Sequence, residues 1–107
     1  MERPSLSDLD PDLMNPKRFL IATLLYVMGP RTMADLVRAL GLTWGDLDSN
    51  LRRLRDRGFV ELRKVLTLKG PRTVAVLTEK GLEEYERLVE SLRKLLSSLS
   101  SSAHGGR

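Results

Sequence analysis

Residues 32–78 carry a helix–turn–helix pattern followed by a hairpin pattern, and this order restricts the fold more than any other feature. Thr32 and Thr43 each precede an aspartate by three residues, which is the spacing of a helix-capping box. Gly41 fits the left-handed position that ends the first of these helices. The second helix carries one apolar stripe at i, i+4 and i+7, formed by Leu47, Leu51 and Leu54.

A strand pattern follows on each side of a short charged turn. Residues 59–66 alternate in polarity well enough for a strand, and residues 73–77 form the returning strand. Between them, residues 69–72 combine glycine and proline with two cations. Upstream, Asn15 followed by Pro16 predicts the start of a first helix. We therefore expect an α+β fold of the winged helix-turn-helix type, with a three-helix core and a β-hairpin wing.

A long helix pattern begins after Thr78 and has the spacing of a coiled-coil seam. The expected dimer interface consists of Leu82, Tyr85, Val89, Leu92, Leu96 and Leu99. The same residues could instead belong to the core of the chain itself. The expected organisation is a flexible N-terminal arm over 1–14, a winged-helix domain over 15–78, a dimerisation helix over 79–99 and a disordered tail over 100–107. The arm could also act as a strap across a dimer.

Positive charge is concentrated in one part of the chain. The whole chain has a net charge of +4, and segment 44–72 alone holds eight basic and four acidic residues. Such a concentration favours a polyanionic partner. The arginine-rich composition is typical of thermophilic proteins, although a GC-rich genome would produce the same bias.

The composition excludes several classes of function. Cysteine is absent and the only histidine is His104, so we expect no disulfide, no metal site, no cofactor and no enzymatic activity. Apolar runs are too short to span a membrane, and the acidic start is unlike a secretion signal. We therefore expect a cytoplasmic protein.

Segment 15–99 resembles the winged-helix transcriptional regulators of bacteria and archaea, near the MarR and ArsR families and closest to their compact single-domain type. The residues that carry the resemblance are Asn15-Pro16, Leu36 with Leu40-Gly41-Leu42-Thr43, Leu51-Arg52-Arg53-Leu54, Gly58-Phe59-Val60 and Leu77-Thr78-Glu79-Lys80-Gly81. The resemblance implies a homodimer that binds specific double-stranded DNA sequences, usually as a repressor. Metal sensing is not implied, because the cysteine and histidine ligands of the sensing members are missing here.

The resemblance also assigns the contacts with DNA. Helix 43–57 would enter the major groove, and wing 64–72 would lie on the backbone or in the minor groove. The expected contacts from the helix are Thr43, Trp44, Gly45, Asp48, Ser49, Arg52 and Arg53. Those from the wing are Arg63, Lys64, Lys69 and Arg72. A small-molecule effector between the subunits is compatible with this reading, but nothing in the sequence identifies one.

Several side chains have a second interpretation. Asp48 could accept a hydrogen bond from cytosine, but pairing with Arg52 at i+4 is favoured. Trp44 is expected to pack locally rather than to contact sugar and phosphate, and Asn50 to bond between helices. The arginines of the second helix could form an ordinary solvated face. In that case the chain would be a protein-interaction adaptor without specific DNA binding.

Overall fold

The computed structural model describes residues 9–105, with the side chains of residues 9–100. Four helices and three strands follow one another along the chain. They are α1 (Pro16–Met28), β1 (Arg31–Thr32), α2 (Met33–Leu40), α3 (Trp44–Asp56), β2 (Val60–Thr67), β3 (Gly70–Leu77) and α4 (Glu79–Gly105). The predicted winged-helix fold with a long C-terminal helix is confirmed.

Helix starts lie at the predicted capping residues. The side-chain oxygens of Thr32 and Thr43 accept from the backbone N–H three residues on, at 3.1 and 3.0 Å. Asn15 caps α1 in the same manner, and Gly41 has the left-handed conformation, with φ 65°. Each cap involves residues within one helical turn, and the sequence alone is therefore enough to locate it.

The sheet is antiparallel with strand order β1-β3-β2. The two-residue β1 was not predicted, because a strand of that length has no alternation to recognise. The turn of the hairpin also differs from the prediction. Thr67 pairs with Gly70, so the turn consists of Leu68 and Lys69 rather than residues 69–72, and Arg72 lies within β3. Pro71 is accommodated in β3 because β1 pairs only with Val74 and Ala75, which leaves the far end of β3 as an edge.

The core lies where α1, α2, α3 and the sheet meet, and α4 contributes Tyr85 and Leu88 to it. The prediction that Tyr85 belongs to a dimer interface is wrong. Its hydroxyl donates to Thr23 Oγ1 at 2.8 Å, and its ring lies between Phe19 and Tyr26, with centroids 5.8 and 4.8 Å away. Other residues of the seam remain outside the core. Leu82, Val89, Leu96 and Leu99 are exposed, and Leu92 is partly buried against the core.

The described residues of the predicted arm and tail have defined positions in the fold. Leu13 is buried in the core, so residues 9–14 are docked rather than flexible, because an apolar side chain and two acids of this segment find partners. Residues 1–8 of the predicted arm lie outside the described part of the chain. The last helix continues to Gly105, past the predicted boundary at residue 99, since helix propagation adds a hydrogen bond for each residue. Residues 106–107 of the predicted disordered tail also lie outside the described part.

Candidate nucleic-acid interface

The rotation of α3 is fixed by its apolar stripe. Leu47, Leu51 and Leu54 are fully buried, so the opposite face of the helix points to solvent. Gly45, Ser49 and Arg52 are exposed on that face, as predicted. Trp44 differs from the packing expectation, since 55% of its surface is exposed beside the same face. Its indole is therefore available to a partner.

Arg52 is held by an acid on its own helix. Its Nε donates to Asp48 Oδ2 at 2.9 Å, which bears out the favoured interpretation of Asp48. Both side chains remain largely exposed. Only Nε is engaged, so the two terminal nitrogens of Arg52 have no hydrogen-bond partner among the described residues, and 62% of the side chain is exposed. Two such nitrogens can donate to the O6 and N7 acceptors of guanine.

Two acids of the N-terminal segment contact the arginines of α3, an arrangement that the sequence analysis missed. Arg53 Nε donates to Asp12 Oδ1 at 2.9 Å, and Arg57 Nη2 donates to Asp10 Oδ2 at 2.6 Å. Arg57 also pairs with Asp12 and stacks over the ring of Phe59. The only signal in the sequence is the acidic cluster of the arm, and 41 residues separate Asp12 from Arg53.

This acidic contact changes the electrostatics at one side of α3. The hydrogen bond from Arg57 lowers the pKa of Asp12, and the same bond raises the pKa of Arg57. Part of the positive charge predicted for this region is thus neutralised within the molecule. Arg53 nevertheless keeps 61% of its side chain exposed, so its terminal nitrogens remain accessible.

Interactions with α1 fix the position of α3 relative to the body. Asn50 accepts from Arg18 Nη1 at 2.8 Å and donates to the Asp46 carbonyl oxygen at 2.8 Å, as expected for a bond between helices. Lys17 pairs with the Asp46 carboxylate at 2.8 Å. These bonds orient the outward face of α3 and leave Asn50 without access to a groove.

The wing carries the second predicted group of cations. Arg63 is paired with Glu61 at 2.7 Å. Within residues 9–100, no carboxylate pairs with Lys64, Lys69 or Arg72. All of these side chains are exposed along the hairpin. The wing is therefore a stronger source of available positive charge than the side of α3 that faces the N-terminal segment.

The described residues form neither a metal-binding cluster nor a membrane-spanning helix. They contain no group of three or more histidine, cysteine, aspartate or glutamate side chains that could hold a metal ion. Over the same part of the chain, each helix is too short or too polar to cross a bilayer.

Known proteins resemble this chain in sequence and fold. Residues 18–96 match the winged helix DNA-binding domain family. The transcriptional regulator homologue protein from Pyrococcus horikoshii OT3 is 35% identical, with a TM-score of 0.78 over 82% of this chain and 87% of its own. A search among curated proteins returned no match.

Two further solved structures show the same fold at lower identity. A protein from Enterococcus faecalis V583, described as a transcriptional regulator of the MarR family, is 23% identical, with a TM-score of 0.76 over 87% of this chain and 84% of its own. BpsR from Bordetella bronchiseptica, whose DNA binding is regulated by 6-hydroxynicotinic acid, is 16% identical, with a TM-score of 0.66 over 86% of this chain and 64% of its own.

Proposed function

The chain belongs to the winged helix DNA-binding domain family, and on this premise we propose that it is a dimeric transcriptional regulator that binds specific sequences of double-stranded DNA. The observation that carries the proposal is the solvated face of α3, which holds Gly45, Ser49 and Arg52 without any large apolar side chain. A helix with this face can approach the floor of the major groove, while the basic wing follows the backbone or the minor groove.

The proposal assigns different tasks to the residues of α3. Arg52 reads a base edge, and Asp48 positions it through Nε. Gly45 and Ser49 are small, which permits close approach of α3 to the base pairs. Thr43 caps the N-terminus of α3, where the helix enters the groove. Trp44 and Arg53 flank the reading face and contact sugar and phosphate. Regulation by repression follows from the resemblance and forms part of the proposal.

Affinity in this proposal comes mainly from cations on phosphates. Lys64, Lys69 and Arg72 on the wing supply this term, with Arg63 beside them. The logarithm of the binding constant should then fall by about 0.9 for each tenfold rise in salt and each phosphate neutralised.

Dimerisation is supported by an apolar surface that the fold leaves exposed. Leu96 and Leu99 are exposed on the projecting part of α4, and Leu20 and Val27 are exposed on α1. A two-fold arrangement through these helices would present two α3 helices to successive major grooves, about 34 Å apart. We extend the proposal to control by a small molecule, by analogy with the effect of 6-hydroxynicotinic acid on BpsR.

The test replaces Arg52 on the reading face and Arg53 beside it. Duplexes of roughly 30 base pairs, long enough for two half-sites, are first enriched by the protein from a random library. Binding is then followed through Trp44 fluorescence at two salt concentrations. Combined Arg52→Ala and Arg53→Ala should weaken binding at least about 100-fold, because each subunit loses a base contact, which contributes about 1–3 kcal/mol, together with a phosphate contact.

Arg87→Ala is the matched control, since Arg87 is an equally exposed arginine on α4. It should leave the affinity unchanged. Equal binding by the double variant and the wild type would show that the assigned face is wrong. Failure to enrich any duplex, together with tight capture of a protein by the face of α3, would favour the adaptor function instead.

A further inference from the structure

The tip of the wing is apolar, although cations surround it. Leu68 is fully exposed at the turn, and Leu66, one residue before β2 ends, is 82% exposed. Val65 is exposed as well. A single exposed leucine is ordinary on a protein surface. Leu66 and Leu68 are two strongly exposed leucines at the outermost part of the hairpin, whereas Val65 lies on the opposite face of β2. We call these two leucines the wing tip.

The turn that presents Leu68 is held by its own hydrogen bonds. Thr67 Oγ1 accepts from the Lys69 N–H at 3.2 Å and donates to the Gly70 carbonyl oxygen at 2.6 Å. Gly70 supplies the positive φ of 101° that closes the hairpin. Leu66 is paired with Pro71 across the ladder. Leu68 is thus carried at the end of a constrained turn rather than on a loose loop.

The charges around the wing tip are all of one sign. No aspartate or glutamate occurs between residues 62 and 78, whereas Lys64, Lys69 and Arg72 lie within four residues of Leu68. An apolar centre with a cationic rim complements a groove of duplex DNA, where phosphates flank deoxyribose and base edges. Apolar side chains of this kind can enter the minor groove and partly unstack a base step.

We propose that Leu68, supported by Leu66, inserts into the minor groove of the bound duplex as an apolar wedge and bends the DNA there. This inference rests on the proposed function and adds a mechanism of recognition that depends on DNA deformability. Pyrimidine–purine steps unstack most easily, so the duplex should carry such a step beneath each wing. Specificity would then include positions without a hydrogen bond to a base.

Apolar burial by Leu68 and phosphate contact by Lys69 contribute separately to DNA affinity, and a salt titration can resolve the two. Leu68→Ala removes apolar burial and no charge, so it should lower affinity about tenfold while the salt dependence stays the same. Lys69→Ala removes a phosphate contact, so it should reduce the slope of log affinity against log salt by about 0.9 for each subunit bound. Leu68→Met keeps the apolar volume and should retain wild-type affinity.

Bending is measured by energy transfer between dyes at the two ends of an enriched duplex. The wild type should shorten the distance between the dyes, Leu68→Met should match it, and Leu68→Ala should leave the bound duplex nearly straight. Exchange of the TA or CA step beneath the wing for AA should weaken the wild type and leave Leu68→Ala unaffected.

Three results would overturn the inference. The first is a Leu68→Ala variant with wild-type affinity and bend. The second is an unbent duplex in the wild-type complex. The third is binding of the wild type to vesicles of anionic phosphatidylglycerol that Leu68→Ala abolishes while DNA affinity is unchanged, which would assign the wing tip to a membrane surface. In each case binding that still requires Arg52 and Arg53 would leave the proposed function standing, whereas no binding to any enriched duplex would remove both.

Discussion

A single glycine decides how closely the long last helix approaches the body of the protein. Gly81 lies in the first turn of α4, where an added Cβ would be 2.0 Å from the Phe59 carbonyl oxygen. The approach is fixed by Thr78, whose N–H donates to that same oxygen at 3.0 Å and whose hydroxyl donates to the Gly58 carbonyl oxygen at 2.6 Å. No larger side chain fits without separating the helix from the start of β2.

Gly81→Ala should therefore destabilise the fold by about 3 kcal/mol, because the clash is with backbone that cannot move aside. Chemical denaturation, monitored by circular dichroism, measures the loss in the free energy of unfolding. Gly45→Ala is the matched control, since the nearest atom to its added Cβ is 4.0 Å away. It should be neutral or stabilising by up to about 1 kcal/mol, as alanine favours a helix interior. Equal stability of the two variants would contradict the packing role of Gly81.

At the residue scale, the sequence predicts what depends on near neighbours. The capping threonines and Gly41 were identified because a cap involves residues within one turn. Tyr85 and Trp44 were misjudged for the opposite reason. The burial of Tyr85 depends on α1. The exposure of Trp44 arises because no residue in the described part of the chain covers the start of α3.

At the element scale, the N-terminal segment acts as a support for α3. Asp12 is buried, and its carboxylate accepts from Arg53 and Arg57. The pKa of Asp12 is lowered chiefly by the hydrogen bond from Arg57. The carboxylate therefore stabilises the fold above its ordinary pKa of about 4, and this contribution disappears as the pH falls toward the lower pKa of the folded state.

Asp12→Asn should cost about 1–3 kcal/mol at neutral pH, because two arginines lose a charged acceptor. The difference between variant and wild type should shrink as the pH falls from about 4, where the carboxyl of the unfolded chain becomes protonated, toward the lower pKa of Asp12 in the folded state. Urea denaturation at several pH values measures this dependence. Asp56→Asn alters an exposed acid of α3 and should have little effect at any pH. A cost for Asp12→Asn that does not change with pH would rule out the ionic explanation.

The elements themselves were largely predictable, and their long-range partners were not. The helices and the two wing strands follow from capping, periodicity and alternation. The register of the hairpin does not, because it depends on Gly70 taking positive φ instead of the turn beginning at Lys69. The contacts of the candidate site also fall into predictable local ones and unpredictable long-range ones. The i+4 pair of Asp48 and Arg52 was foreseen, whereas the contacts of Asp10 and Asp12 with α3 link distant parts of the chain.

At the scale of the whole molecule, α4 extends well beyond the compact body. The described chain measures 60 × 24 × 21 Å, and a helix of the length of Glu79–Gly105 accounts for about 40 Å of the long axis. Core contacts from α4 end near Leu92. A projecting stretch of this length is only marginally helical by itself in water. Its exposed leucines are the surface that the proposed dimer would bury against the same helix of a second copy.

Leu96→Lys tests that assignment, since Leu96 is 64% exposed and belongs to the predicted seam. A buried lysine without a partner should weaken dimerisation at least about 100-fold, because desolvating its charge costs several kcal/mol. Ser98→Lys adds the same charge on the opposite side of α4 and should leave the dimer intact. Sedimentation equilibrium gives the dimer dissociation constant of each variant.

If the dimer is what aligns two α3 helices, Leu96→Lys should also lose tight binding to a two-half-site duplex while retaining the weak affinity for a single half-site. Unchanged dimerisation would place the interface elsewhere, and a monomeric wild type that still binds both half-sites would show that alignment does not depend on α4.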